Sequence, residues 1–277
     1  MNHALKTDNS DALIREKALW MRQQAMKMVY AKQLGHLGGD FSAIDVLATL
    51  YFGVLRYDVA RPEWAERDRF VMSKGHATGA LYTALAAAGY FPHDWLDTYM
   101  GHHSKLNGHP NRQYLPGVET NTGPLGHGFP VALGIAIAGQ ISGAEYRTYV
   151  LTGDGEQQEG SNWEAAMTAG HRKVKNLTLI IDRNRLQQGA RTEETNGLDP
   201  LDDKYRAFGW HVVEIDGHDY GQLLGTLGAP VGNRDKPLCV IANTVKGKGV
   251  SFMEDQAKWH HGVPNAEQFA QAMKELV

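Results

Sequence analysis

Asp154 stands between two glycines (Gly153-Asp154-Gly155), and thirty residues later comes Asp182-Arg183-Asn184. A carboxylate, an amide oxygen and a nearby backbone carbonyl are the hard ligands that Mg²⁺ or Ca²⁺ takes, with phosphate oxygens commonly completing the shell. Glycines beside the carboxylate let backbone come close to an anion, and a helix N-terminus just beyond adds partial positive charge. The 13 histidines supply a second chemistry, because neutral imidazole relays protons near pH 7. Several adjoin glycine, among them His36, His76, His109, His127 and His261. These residue types suit a site that holds a metal-bound phosphate and moves protons.

Such residues need a frame. From residue 147 onward short β-branched runs alternate with helical ones: strands over 148–151, 177–181, 210–215 and 238–242, and helices near 162–171 and 220–227. Continuous apolar strands separated by helices indicate an α/β fold, a parallel sheet with helices on both faces. Asp154 and Asp182-x-Asn184 fall at the C-terminal ends of two such strands, which is where ligands collect in these sheets. Before residue 147 the sequence reads as helical over 11–33, 42–55, 76–88 and 129–141, the apolar residues recurring at helical spacing. A Gly/Pro/Asn/His segment over 101–126 is too long to be an idle connector. No repeat, low-complexity stretch or linker interrupts the chain. The expected organisation is one domain over 1–277, helical to about 145 and βα thereafter.

Composition removes whole classes of function. The chain has 277 residues and a net charge of −3, so no basic balance calls for nucleic acid or an anionic membrane. The single cysteine, Cys239, excludes a disulfide framework and a cysteine metal cluster. The apolar stretch over 131–139 is far shorter than a membrane span, and the N-terminal residues lack the apolar core of a signal peptide. The expectation is a cytoplasmic protein.

Gly153-Asp154-Gly155 followed by Asn184 resembles the metal and diphosphate motif of thiamine diphosphate (ThDP) enzymes, and the wider context resembles transketolase. Gly35-His36, Ser73-Lys74-Gly75-His76, Gly108-His109-Pro110, Leu115-Pro116-Gly117-Val118-Glu119, Thr122-Gly123-Pro124-Leu125-Gly126, Glu159-Gly160 and His261-Gly262 occur in the family's order along essentially the whole chain. The resemblance implies that Asp154, Asn184 and the Leu186 carbonyl ligate the metal, Mg²⁺ or alternatively Ca²⁺. By the same similarity Gly153, Gly155, Asn184, His76, His261 and the Gly123-Pro124-Leu125 turn hold thiamine diphosphate. His36, His109 and His261 match family histidines around the substrate, and Glu159 matches a glutamate that links paired active sites across a subunit interface. His127 departs from the family's usual glutamine, and Leu37 from its usual proline. His102, His103 and His260 read as loop residues, and Lys246-Gly247-Lys248-Gly249 as a loop shaping the approach to His261.

In transketolases a later, pyrimidine-binding domain carries the glutamate that activates the cofactor and the arginines that grip the sugar phosphate. No such domain follows the terminal helix expected at 266–276. The resemblance therefore implies the N-terminal subunit of a split transketolase. It would transfer a two-carbon ketol unit between sugars only with a second chain carrying the pyrimidine-binding domain, as an α₂β₂ assembly. Two alternatives stand beside it: a subunit of a deoxyxylulose phosphate synthase-like ThDP enzyme, and a non-catalytic ThDP- or Mg-binding module.

Overall fold

The computed structural model describes residues 10–277; the first nine residues, with part of the segment read above for a signal peptide, lie outside that description. Five strands, β1 (Arg69–Met72), β2 (Thr148–Gly153), β3 (Leu177–Arg183), β4 (His211–Asp216) and β5 (Leu238–Asn243), form one sheet in the order β1-β2-β3-β5-β4. Every neighbouring pair is parallel. The described helices are α1 (Ser10–Lys32), α2 (Leu37–Thr49), α3 (Thr78–Ala88), α4 (Gly128–Ser142), α5 (Gly160–His171), α6 (Thr192–Thr195), α7 (Leu201–Ala207), α8 (Tyr220–Leu227) and α9 (Ala266–Glu275).

The strands alternate their side chains between two cores, as strand geometry requires. Tyr149, Leu151, Ile180, Leu238 and Val240 pack with α1, α2, α3, α8 and α9 on one face. Val150, Leu179, Ile181, Cys239 and Ile241 pack with α4, α5 and α7 on the other. Both faces are covered, which explains why β2, β3 and β5 read as continuous apolar runs.

Helices α6 and α7 stand where the sequence reading has none, and two further elements differ from it. The part expected to be helical contributes β1, an edge strand of four residues beside β2; so short a run behind charged residues carries no period of its own. Helix α2 begins at Leu37, five residues ahead of the expected start, and incorporates Gly38 and Gly39. Every residue of α2 is buried, so tertiary packing overrides the helix cost of two glycines. It runs on as a π-helical turn over Leu50–Val54, closed by Leu55 N–H donating to the Leu50 carbonyl at 2.7 Å. The stretch Leu37–Val54 is long and apolar enough to cross a membrane, yet 83% of it is buried inside the fold. It is a core helix.

Candidate functional site

The register pairs Gly153 with Asp182 across β2 and β3, so the two polar clusters emerge side by side at the strand ends. Asp154 is 2% exposed. Its Oδ1 accepts from Gly155 N–H at 2.8 Å, and its Oδ2 from Arg185 N–H at 2.6 Å and the Arg183 guanidinium at 3.3 Å. Asn184 turns its Oδ1 to Leu186 N–H (3.1 Å) and its Nδ2 to Asp182 Oδ2 (3.3 Å). Burial, and then the neighbouring Asp182, push the Asp154 carboxyl above its ordinary range. A cation held by the Asp154 carboxylate, the Asn184 amide oxygen and the Leu186 carbonyl would relieve that penalty. Three oxygen donors of this kind suit a hard divalent ion.

A cavity of about 400 Å³ opens beside this corner. Two lysines enter it. Lys74, 2% exposed, donates to Asp182 Oδ2 at 2.5 Å and to the Gly39 carbonyl at 3.0 Å. Lys246, equally buried, donates to the Leu186 carbonyl and meets His260 Nδ1, both at 2.9 Å. Burial, and then Lys74, lower Lys246 to about 8. Asp182 is shared between Lys74, Ser42 and Thr244, and these partners outweigh its burial to keep it ionised. The wall is also open: a Cβ on Gly39 would meet nothing nearer than Lys74 Nζ at 3.7 Å, and one on Gly153 nothing nearer than Glu156 at 3.9 Å. Ammonium groups, a carboxylate–amide corner and bare backbone suit a ligand carrying phosphates and a metal ion.

Histidines line the same cavity. The His36 ring centroid lies 4.4 Å from that of His261, 5.3 Å from His76 and 5.7 Å from His260. Burial, and then His261, lower His36 to about 4; burial and the neighbouring lysine charges also hold His76 and His260 well below the ordinary value. His36, His76 and His260 are thereby neutral at pH 7, and His36 Nδ1 is buried with no hydrogen-bond partner among the described residues. The fold thus places an uncharged imidazole at the cavity wall.

Of the residues expected in the site, His36, His76, His261, Glu159, Gly123, Leu125, Gly153, Asp154, Gly155, Asn184 and Leu186 line the cavity. His109 and Pro124 do not line it. Both lie outside the core, and the His109 ring packs on Gly123, where a Cβ would come within 3.1 Å of it. Gly123 takes φ +154, so glycine alone suits both the conformation and the contact. Glu159 is exposed at the rim. His127 is exposed beside the start of α4 and bonds the Leu125 carbonyl through Nδ1 at 3.0 Å. His102 and His103 are exposed turn residues.

His260 is not an idle loop residue. It faces the cavity and bonds Lys246. Lys74 and Glu156 are given no role by sequence reasoning, which places Asp182 at a strand end and Lys246 in a loop near His261 without assigning either side chain a contact. Lys74 sits inside Ser73-Lys74-Gly75-His76 and was legible there. Buried Glu156 accepts from Ser73 Oγ (2.5 Å), Gly126 N–H (3.0 Å) and Gly153 N–H (3.0 Å), tying three loops of the site together. No local pattern announces that role.

Comparison with known proteins agrees with this geometry. Residues 15–277 match the family described as transketolase, thiamine diphosphate binding domain. The chain is 47% identical over 255 residues to an apulose-4-phosphate transketolase subunit of Phocaeicola vulgatus, covering 92% of this chain and 90% of that protein. It is 40% identical over 263 residues to 6-deoxy-6-sulfo-D-fructose transketolase subunit SqwG of a Clostridium species, covering 95% and 96%. The transketolase structure from Campylobacter jejuni superposes with a TM-score of 0.90 at 32% identity, over 96% of this chain and 43% of that one. The chain thus spans about two fifths of that solved transketolase and nearly the full length of the proteins named as separate subunits. The chain belongs to the transketolase family, as a subunit built on that family's thiamine diphosphate binding domain.

Proposed function

We propose that this chain is the diphosphate-binding half of a two-chain, ThDP-dependent transketolase that moves a two-carbon ketol unit from a ketose phosphate to an aldose. The observation that carries the reading is the convergence, on one cavity, of an Asp154–Asn184–Leu186 oxygen corner, two buried lysines and neutral histidines. Asp154, Asn184 and the Leu186 carbonyl would hold Mg²⁺, with Ca²⁺ as the other ion of suitable chemistry. Gly153, Gly155, Gly123, Leu125 and His76 would flank the diphosphate, with Pro124 shaping the turn. When bound, thiamine diphosphate supplies a thiazolium carbon that acts as nucleophile and electron sink.

The proton traffic falls to the chain. His36, neutral and lining the cavity, would accept a hydroxyl proton and return it, with His261 beside it. His109, outside the lining, would meet the sugar as it enters over Gly123. Exposed Glu159 would contact a neighbouring protomer and couple paired sites.

Relatives named as transketolase subunits favour this reading over the synthase and the stand-alone module. Their length, close to that of this chain, supports a separate partner carrying the pyrimidine-binding domain in an α₂β₂ assembly, located in the cytoplasm. Two relatives named for apulose 4-phosphate make that sugar phosphate the first donor to test. The test is reconstitution with the candidate partner, ThDP and Mg²⁺, following release from the donor of the carbonyl fragment left when its two-carbon unit is transferred. Pyruvate consumption with CO₂ release would instead support the synthase.

A further inference from the structure

Outside the cavity lies a second polar cluster that the reaction does not use. The Asp45 carboxylate on α2, 3% exposed, accepts four hydrogen bonds. Its Oδ1 takes Arg22 Nη1 at 2.9 Å and the Tyr220 hydroxyl at 2.5 Å; its Oδ2 takes Arg22 Nη2 at 2.6 Å and His218 Nδ1 at 2.7 Å. Two of the donors then reach further. His218 Nε2 accepts from Val245 N–H at 2.9 Å, and Arg22 Nε donates to the Lys248 carbonyl at 3.1 Å. A backbone N–H can only donate, so Nε2 must be bare and the proton must sit on Nδ1: the network fixes His218 in one neutral tautomer.

Val245 and Lys248 are the two ends of a single turn, which Lys248 N–H closes on the Val245 carbonyl at 3.2 Å. Between them stands Lys246, whose ammonium group reaches the Leu186 carbonyl and His260 in the cavity. One buried carboxylate therefore anchors both flanks of the segment that delivers Lys246. None of Arg22, Asp45, His218 or Tyr220 lines the cavity. Burying charges in this way is a weak route to stability, since desolvation offsets most of the attraction, but it fixes geometry well.

We propose that His218, oriented by Asp45 and assisted by Arg22, is a positioning residue that sets Lys246 against the Leu186 carbonyl and His260 and so prepares the cofactor pocket. The identity of the ligand rests on the ThDP reading above; the positioning rests on the hydrogen bonds alone.

The experiment has two arms. In the isolated chain, amide exchange at Val245 is measured by mass spectrometry, together with the labelling rate of the Lys246 amine at fixed pH. His218→Ala should speed both, and His218→Gln, whose amide can donate at one end and accept at the other, should restore protection. In the complex with its partner, ThDP affinity is measured with Mg²⁺ for His218→Ala, Lys246→Met and the double variant. His218→Ala should weaken ThDP about tenfold, and the double variant should be no weaker than Lys246→Met. Additive losses, or unchanged Val245 exchange in His218→Ala, overturn the proposal. If wild type binds no ThDP, the cofactor reading fails and the first arm still decides the positioning. If His218→Ala does not fold, Arg22→Lys keeps the charge opposite Asp45 but lacks the Nε donor, and its labelling of Lys246 answers the same question.

Discussion

Asp154 accepts three hydrogen bonds, yet burial and the nearby Asp182 still disfavour its charge. On the proposed reading a metal ion would resolve that conflict, so Asp154→Ala is expected to abolish Mg²⁺-dependent ThDP binding; wild-type affinity in this variant would remove Asp154 from the metal site. His109 differs from it, standing outside the cavity lining. His109→Ala should leave ThDP affinity within about twofold while lowering turnover roughly tenfold or more, read by calorimetry and steady-state kinetics. Asp40 sets a third expectation. It is fully buried, one oxygen has no partner, and burial raises it from 3.8 to about 7. A raised carboxyl weakens the fold once ionised: the cost is absent below pH 3.8, grows as pH rises toward 7, and is complete above it. Asp40→Asn should therefore be more stable than wild type at pH 8 by up to about 4 kcal/mol, with the gain gone near pH 4. Denaturant titrations at the two pH values check the sign.

The elements place these residues through close backbone approach as much as through side chains. Gly75 lets the end of β1 touch the 122–123 segment, where a Cβ would come within 2.6 Å of Thr122 Oγ1 and 2.7 Å of Gly123 N. Helix α5, which starts next to Glu159, is seated in the same manner. A Cβ on Gly170 would overlap the Phe208 carbonyl at 1.8 Å, and Trp210 Nε1 donates to the Ala166 carbonyl at 2.9 Å. Backbone cannot yield there as the end of a flexible side chain can. Gly170→Ala is expected to cost roughly 3 kcal/mol or more, seen as a lower denaturation midpoint, whereas Gly160→Ala at the open start of α5 has no neighbour within 4 Å and should cost little.

At the scale of the molecule, the five parallel strands end at one rim, and the cavity lies beyond the carboxyl ends of β1, β2, β3 and β5 as the fold class requires. The chain places the Asp154–Asn184–Leu186 corner, two lysines and histidines on that rim. On the proposed reading the activating carboxylate and the sugar-phosphate grip come from the second subunit. The isolated chain should then show no ketol transfer, and adding the partner with ThDP and Mg²⁺ should restore it. Native mass spectrometry should find two ThDP in an α₂β₂ particle. Turnover by the isolated chain would refute the split-site reading.

Local order was open to sequence reasoning because its signals are local. Helix α8 was read with its exact bounds, β2, β3 and β5 as continuous apolar runs, and the Gly153-Asp154-Gly155 to Asn184 spacing as two neighbouring strand ends. The four-residue β1 was not legible, because its strand character comes from pairing with β2. Nor were the roles of Glu156 and His260 or the His218–Asp45 network, whose partners lie as far as 226 residues apart. The sequence alone determined the secondary-structure periods, the fold class and the ligand types at the strand ends, since chemistry and spacing are written residue by residue. Only the tertiary structure decided which buried charges meet, which histidines are neutral, and that His109 stands outside the wall. Desolvation and hydrogen-bond geometry exist only once distant segments are brought together.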